Sequence, residues 1–115
     1  MIELLRTSRY VRWFKRLRDA EAKAAIADYF FEVEMGAPLN VDGDAPQGAC
    51  LRYLGDKVVE AKFDYGQGIR VYLTQEGREV VLLLVGGDKS TQRKDIADAK
   101  RMAREWRRER GYGHR

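Results

Sequence analysis

At 115 residues, 44% hydrophobic and 35% charged, the chain has room for one small domain with a thin core. Its longest apolar run, Val80 to Val85, falls far short of the roughly 18 to 20 residues of a membrane span, and MIELLRTSRY lacks the apolar stretch and cleavage site of a signal peptide. A single cysteine, Cys50, excludes an internal disulfide and fits a reducing cytoplasm, while the net charge of +4 is modest.

Ile2 and Leu4 alternate with Glu3, which predicts a short first strand to about Thr7. Thr7 or Ser8 can cap the helix that follows, because a hydroxyl there accepts an otherwise orphaned backbone N–H. In that helix Tyr10, Val11, Phe14 and Leu17 recur at helical spacing, with Arg9, Arg12, Lys15, Arg16 and Arg18 filling the rest. Asp19 starts a second helix with a wide apolar stripe (Ala22, Ala25, Ile26, Tyr29, Phe30, Val33), ended by Gly36 and Pro38. The two read as a helical hairpin packed on a sheet, with Trp13, Phe14, Tyr29 and Phe30 in the core.

Residues Gly36 to Gly48 are turn-rich and acidic, a long loop for so small a domain. Its Asp42-Gly43-Asp44 fragment lacks the remaining ligands of a calcium loop, so no metal is assigned. From Lys57 to Asp64 the period of two sends Val59, Ala61 and Phe63 to the core and Val58, Glu60, Lys62 and Asp64 to the other face. Tyr65 to Gly68 forms a glycine-bearing turn. Next, Ile69, Val71 and Leu73 point inward while Arg70, Tyr72 and Thr74 point out. After a turn at Gln75 to Arg78, Val80 to Val85 is apolar on both faces, as in a strand covered on both sides. Gly86-Gly87-Asp88 breaks the pattern, and Ser90 or Thr91 caps a last helix with Ile96, Ala99, Met102, Ala103 and Trp106 on its buried stripe. The tail from Gly111 is expected to fray.

Charge follows the same division. Six basic residues and no acidic one lie between Arg6 and Arg18, ten acidic against four basic between Asp19 and Asp64, and nine basic against four acidic between Lys89 and Arg110. Taken singly these charges read as solvated faces. Two basic segments that converge in space would favour a polyanion or an acidic protein partner.

One constellation has chemical content. The outward face of the hairpin carries Glu60, Lys62, Arg70 and Tyr72, with Lys89 arriving from the end of the next strand. An arginine, two lysines, a phenol and a carboxylate can serve RNA cleavage by a neighbouring 2′-hydroxyl, which needs charge stabilisation on phosphoryl oxygens and proton transfer at two oxygens. Arg70 suits the first task, supported by Lys62 and Lys89, and Tyr72 or Glu60 the handling of protons. The plainer reading is an exposed sheet face lined by cross-strand pairs. Other chemistries are poorly served: the one histidine, His114, sits in the tail, Cys50 reads as a packed thiol, and Gly-Gly-Asp-Lys-Ser lacks the spacing of a Walker loop.

GQGIRVYL, VVLLLVGG and DKSTQ-x-x-DI-x-x-A occur in that order between about Lys57 and Trp106. On these motifs the chain resembles the RelE/ParE superfamily of type II toxin–antitoxin toxins, closest to the HigB-like addiction-module killer branch. The resemblance implies an α+β fold: a small antiparallel sheet with an N-terminal helical hairpin and a C-terminal helix. It implies ribosome-dependent cleavage of mRNA without a cofactor, held in check by a helix-turn-helix antitoxin. The superfamily also contains ParE-like gyrase inhibitors that act by protein binding, and a non-catalytic interaction domain is a further alternative. By position, Arg70 matches the phosphate-binding arginine, Lys62 and Lys89 approximate basic positions before and after it, and Tyr72 belongs to the RVY motif. Three features depart from the branch: the loop from Gly36 to Tyr53 is longer, the tyrosine that some relatives carry near the chain end has no equivalent because Tyr112 lies beyond the expected helix, and Glu60 stands where the best-known cleavers are basic.

Overall fold

Two side-chain caps organise the start of the chain in the computed structural model, which describes residues 2–43 and 49–111. Asp44, Tyr112 and His114 lie outside the described residues. After strand β1 (Glu3–Arg6), Thr7 Oγ1 accepts from the backbone N–H of Tyr10 at 3.0 Å and opens helix α1 (Ser8–Arg16). The same hydroxyl donates to the Leu84 carbonyl at 2.6 Å, so the cap also ties the helix entrance to the sheet beneath. Asp19 accepts from Ala22 N–H at 3.0 Å and opens helix α2 (Ala20–Glu34).

Strands β2 (Ala49–Tyr53), β3 (Val58–Phe63), β4 (Ile69–Glu76) and β5 (Val80–Gly87) follow, and the sheet order is β1-β5-β4-β3-β2. Neighbours in β2 to β5 run antiparallel, but β1 lies parallel to β5, with Glu3 opposite Val80. The α+β class therefore stands, whereas the expected antiparallel sheet is a mixed one. Strand β2 is a further departure, because Ala49 to Tyr53 were expected to belong to the long loop from Gly36 to Tyr53. Only Ala49 and Leu51 of ACLRY face the core, too short an alternation to stand out.

The sheet is covered on both faces. Ile26, Tyr29, Phe30 and Val33 of α2 and Tyr10 of α1 pack on Phe63, Val71 and Leu83. On the other face helix α3 (Gln92–Arg110) lays Ala99 and Ala103, flanked by Ile96, Met102 and Trp106, over Val58, Tyr72, Leu84 and Val85. This second layer explains the apolar run Val80 to Val85. It also means that Arg70, Tyr72 and Thr74, which point away from the α1–α2 face, are buried and not exposed.

Three polar anchors seat α3. Arg107 donates to Thr74 Oγ1 at 2.7 Å, Gln75 O at 3.2 Å and Glu76 Oε1 at 3.1 Å. Arg9 of α1 reaches across to Asp98 at 2.7 Å and Asp95 at 3.3 Å. Asp88 caps a 3-10 turn (Lys89–Thr91) by accepting from Ser90 N–H at 2.8 Å, and Thr91 donates its hydroxyl to Asp95 at 2.6 Å. Thr91 holds the N-cap position of α3, as one of the two expected residues, but its side chain makes no capping bond there; the side-chain cap is that of Asp88 on the preceding turn. The Gly86-Gly87 pair is demanded by these contacts: a Cβ at Gly86 would fall inside the Trp13 indole, and one at Gly87 would strike the Asp95 carboxylate.

Two outcomes follow for stability. Gly86→Ala is expected to cost about 1–3 kcal/mol in urea unfolding, since the indole must leave its place; an unchanged midpoint would show that Trp13 is free to swing aside. Asp98 is held well below the usual carboxylate range, first by the hydrogen bond from Arg9 and then by those from Lys94 and Arg101. A depressed carboxyl contributes stability that is complete above its unfolded pKa of about 4 and lost as pH falls through the folded value. Thermal melts of Asp98→Asn should therefore fall less steeply below about pH 4 than those of the parent; parallel curves would exclude Asp98 as the acid-sensitive group.

Candidate functional site

Strand pairing places two rows of side chains on the α3 side of the sheet. One runs Cys50, Lys62, Arg70, Gly87, and the next Arg52, Glu60, Tyr72, Val85. Helix α3 begins at Gln92 and covers Glu60, Tyr72 and Val85 of the second row, leaving Arg52 and the β2 and β3 ends of the first row open to solvent. Cys50 is exposed, contrary to its expected packing, and Lys62 is partly so.

Lys62, Arg70 and Lys89 line one open cleft of ≈ 330 Å³, together with Asp64 and the turn from Tyr65 to Gly68. The three cations that sequence reasoning singled out are therefore neighbours. Arg70 is the fixed member, only 6% exposed. Its Nη1 donates to the Gly68 carbonyl at 2.6 Å. Its Nε stands 3.7 Å from Glu60 Oε2, an ion pair too long for a hydrogen bond, and is buried without a hydrogen-bond partner among the described residues. Gly68 adopts φ +78°, and a Cβ there would sit 2.9 Å from Arg70 Nη1, so glycine is what this close approach requires. Lys89 follows Asp88, whose carboxyl is lowered by the Ser90 hydroxyl and backbone bonds and by the nearby Arg70 charge. The cap thereby fixes the rim that presents Lys89.

Beneath the cleft lies a buried carboxylate. Glu60, 4% exposed, accepts from Gln92 Nε2 at 2.9 Å, Tyr72 Oη at 3.1 Å and Arg52 Nη2 at 3.2 Å, besides facing Arg70. A lone buried anion would be costly; here it is neutralised by two guanidinium groups and held by two neutral donors. The residue that departs from the basic pattern of the resembled family is thus the counter-ion that orients Arg70. Its acceptor positions are occupied, which removes it from proton transfer in the cleft.

Tyr72 does not join the cleft. It is fully buried under α3, and desolvation, followed by the Glu60 charge and hydrogen bond, drives its pKa far above the ordinary 10. A phenol so placed neither loses a proton near neutrality nor meets a nucleotide. Sequence reasoning had placed it on an open face because the second layer was not visible. It also missed Arg52 and Gln92 as members of the network: Arg52 required strand β2, whereas Gln92 already stood in the DKSTQ motif.

The chain is 36% identical over 104 residues to a protein of Haemophilus influenzae, strain Rd, named only as uncharacterized, a match covering 90% of this chain and 95% of that one. No family model matches the chain, and no solved structure matches it.

Tyr72→Phe is expected to cost about 1–3 kcal/mol, because the buried Glu60 loses a donor. The Lys62–Arg70–Lys89 cleft should keep its shape in the variant, and an unchanged urea midpoint would show that the phenol does not hold Glu60.

Proposed function

The chain belongs to the same family as the Haemophilus influenzae protein, and from its own residues we propose that it is the toxin of a type II toxin–antitoxin pair, of the RelE/ParE superfamily and its HigB-like branch. In this reading it works in the cytoplasm as a ribosome-dependent mRNA endoribonuclease and is neutralised by a helix-turn-helix antitoxin. The observation that carries the reading is the meeting of Lys62, Arg70 and Lys89 in one open cleft, with Arg70 held in place from below. The ordered motifs around Arg70 support it further.

The chemistry assigned to the cleft is transesterification at phosphorus. The 2′-oxygen forms a bond to the adjacent phosphorus, the bond from phosphorus to the 5′-oxygen breaks, and the products are a 2′,3′-cyclic phosphate and a 5′-hydroxyl. Arg70 meets the charge that gathers on the non-bridging oxygens, and its prior orientation means little reorganisation at the moment of reaction. Lys62 or Lys89 donates a proton to the departing 5′-oxygen. Asp64, the carboxylate that lines the cleft, accepts the 2′ proton; its Oδ1 lies 3.8 Å from Lys62 Nζ.

A second reading has one observation in its favour. With Tyr72 buried and Glu60 committed to its partners, few proton-transfer groups face the cleft, which suits a superfamily member that acts by binding protein, as a gyrase inhibitor or interaction domain does. Induced expression followed by primer extension on cellular mRNA separates the readings. Cuts within translated codons support the nuclease, DNA damage without cuts the gyrase inhibitor, and neither the interaction domain.

Lys62→Ala and Lys89→Ala alter exposed or partly exposed side chains and are expected to fold normally. With three cations on the phosphates, the affinity for single-stranded RNA should fall with a log–log salt slope of about −2, and each substitution should reduce that slope by about 0.7; an unchanged slope would take that lysine off the backbone. Arg70→Ala should relieve growth arrest and lower mRNA cleavage by about 100-fold or more, with circular dichroism checking the fold. Full toxicity of that variant would remove Arg70 from the mechanism.

A further inference from the structure

Helix α2 is apolar on two sides. Ala22, Ile26, Tyr29, Phe30 and Val33 face the core. On the opposite side Ala20, Ala24, Ala27 and Phe31 are all exposed, with the capping residue Met35 continuing the line. Their spacing of three and four residues makes a continuous stripe along the helix. Phe31 is 60% exposed and Met35 55%, the two most exposed large apolar side chains among the described residues. A helix that is apolar on two sides normally has both of them covered.

One edge of this stripe is acidic, while on the other Ala27 and Phe31 share a second groove with Arg6, Lys15 and Glu34. Glu21, Asp28 and Glu32 line an open groove of ≈ 720 Å³ with Ala24, Phe31 and Tyr65, and no Lys or Arg is among its lining residues. Charge therefore selects the occupant. A nucleic acid or an anionic lipid surface would be repelled. A second copy packed antiparallel, α2 against α2 about a two-fold perpendicular to the helices, would set the same acidic edges together. A helix with an apolar stripe and a Lys/Arg edge meets both requirements at once.

We infer that the outer face of α2 is a docking site for a basic amphipathic helix of a partner protein. Small side chains at Ala20, Ala24 and Ala27 let the two helix axes approach closely, Phe31 and Met35 supply the anchors, and Glu21 and Asp28 set the orientation by pairing with the basic edge. Tyr65 lines both this groove and the Lys62–Arg70–Lys89 cleft, so the turn from Tyr65 to Gly68 forms the border between them. The docked helix lies beside the cleft and leaves it open. The inference concerns a different face from the proposed RNA site and does not depend on cleavage.

The test uses the whole chain and a labelled synthetic amphipathic helix of about six turns, with a Leu/Ala stripe and an Arg edge, alongside the same peptide with Glu in place of Arg. Fluorescence anisotropy should show the Arg-edged peptide binding at least about 10-fold more tightly than its counterpart. Phe31→Asp should weaken that binding by about 30-fold or more, Asp28→Lys should narrow or reverse the preference, and Arg70→Ala should leave it unchanged. Equal binding of both peptides, or an affinity indifferent to Phe31→Asp and Asp28→Lys, would overturn the inference. So would sedimentation showing a dimer of the parent chain that Phe31→Asp abolishes, because the stripe would then belong to a second copy. Loss of RNA cleavage with peptide binding intact would count against the nuclease reading alone.

Discussion

A single buried carboxylate holds the functional end of this molecule together. Glu60 gathers Arg52 from β2, Arg70 and Tyr72 from β4 and Gln92 from the first turn of α3. Four elements are thereby fixed around one charge that burial makes expensive to leave unmatched. The constraint runs both ways. The carboxylate is tolerable because two guanidinium groups stand against it, and Arg70 is tolerable at its depth because Glu60 lies below and the Gly68 carbonyl beside it. What lines the cleft is a buried guanidinium with little freedom to move, flanked by two lysines on more flexible stems. In the proposed reading, that contrast lets the site grip a phosphate in one geometry while admitting a chain from several directions.

The same logic separates the two faces of the sheet. Toward α1 and α2 the core is hydrophobic and rich in aromatics, with Tyr29, Phe30 and Phe63 in mutual edge and tilted contact. Toward α3 the apolar layer is thin, Ala99 and Ala103 being its buried helical members, and polar anchors supplement it at both ends of the helix. Net contributions from such anchors are smaller than their number suggests, since each also loses hydration. Their more certain effect is on position: α3 sits in one register, and the rim that carries Lys89 sits with it.

Much of this fold was legible in local sequence. Thr7 and Asp19 act as the caps their chemistry implies, the β3–β4 hairpin follows its alternation, and Val80 to Val85 is buried on both faces. The convergence of Lys62, Arg70 and Lys89 was legible too, because period two and a turn are enough to bring them together. What escaped reading depended on contacts distant in sequence. Arg9, Asp95 and Asp98 look like solvated helix charges until α1 and α3 are seen to meet at the end of β5, and Arg107 does so until the end of β4 is seen beneath it. Tyr72 looks exposed until α3 is laid over it. Glu60 looks like a misfit until its four partners, spread from Arg52 to Gln92, are brought into contact.

The parallel pairing of β1 with β5 has a consequence for the order of events in the cell. Glu3 to Arg6 find their places only against Val80 to Leu83, and Arg9 finds its carboxylates only at Asp95 and Asp98. During synthesis the Glu3–Arg6 segment must wait, its edge unmatched, until Val80 to Leu83 have left the exit tunnel. The sheet gains this strand only by the return of residues made well before their partner, so β5 is left with an open edge until that return.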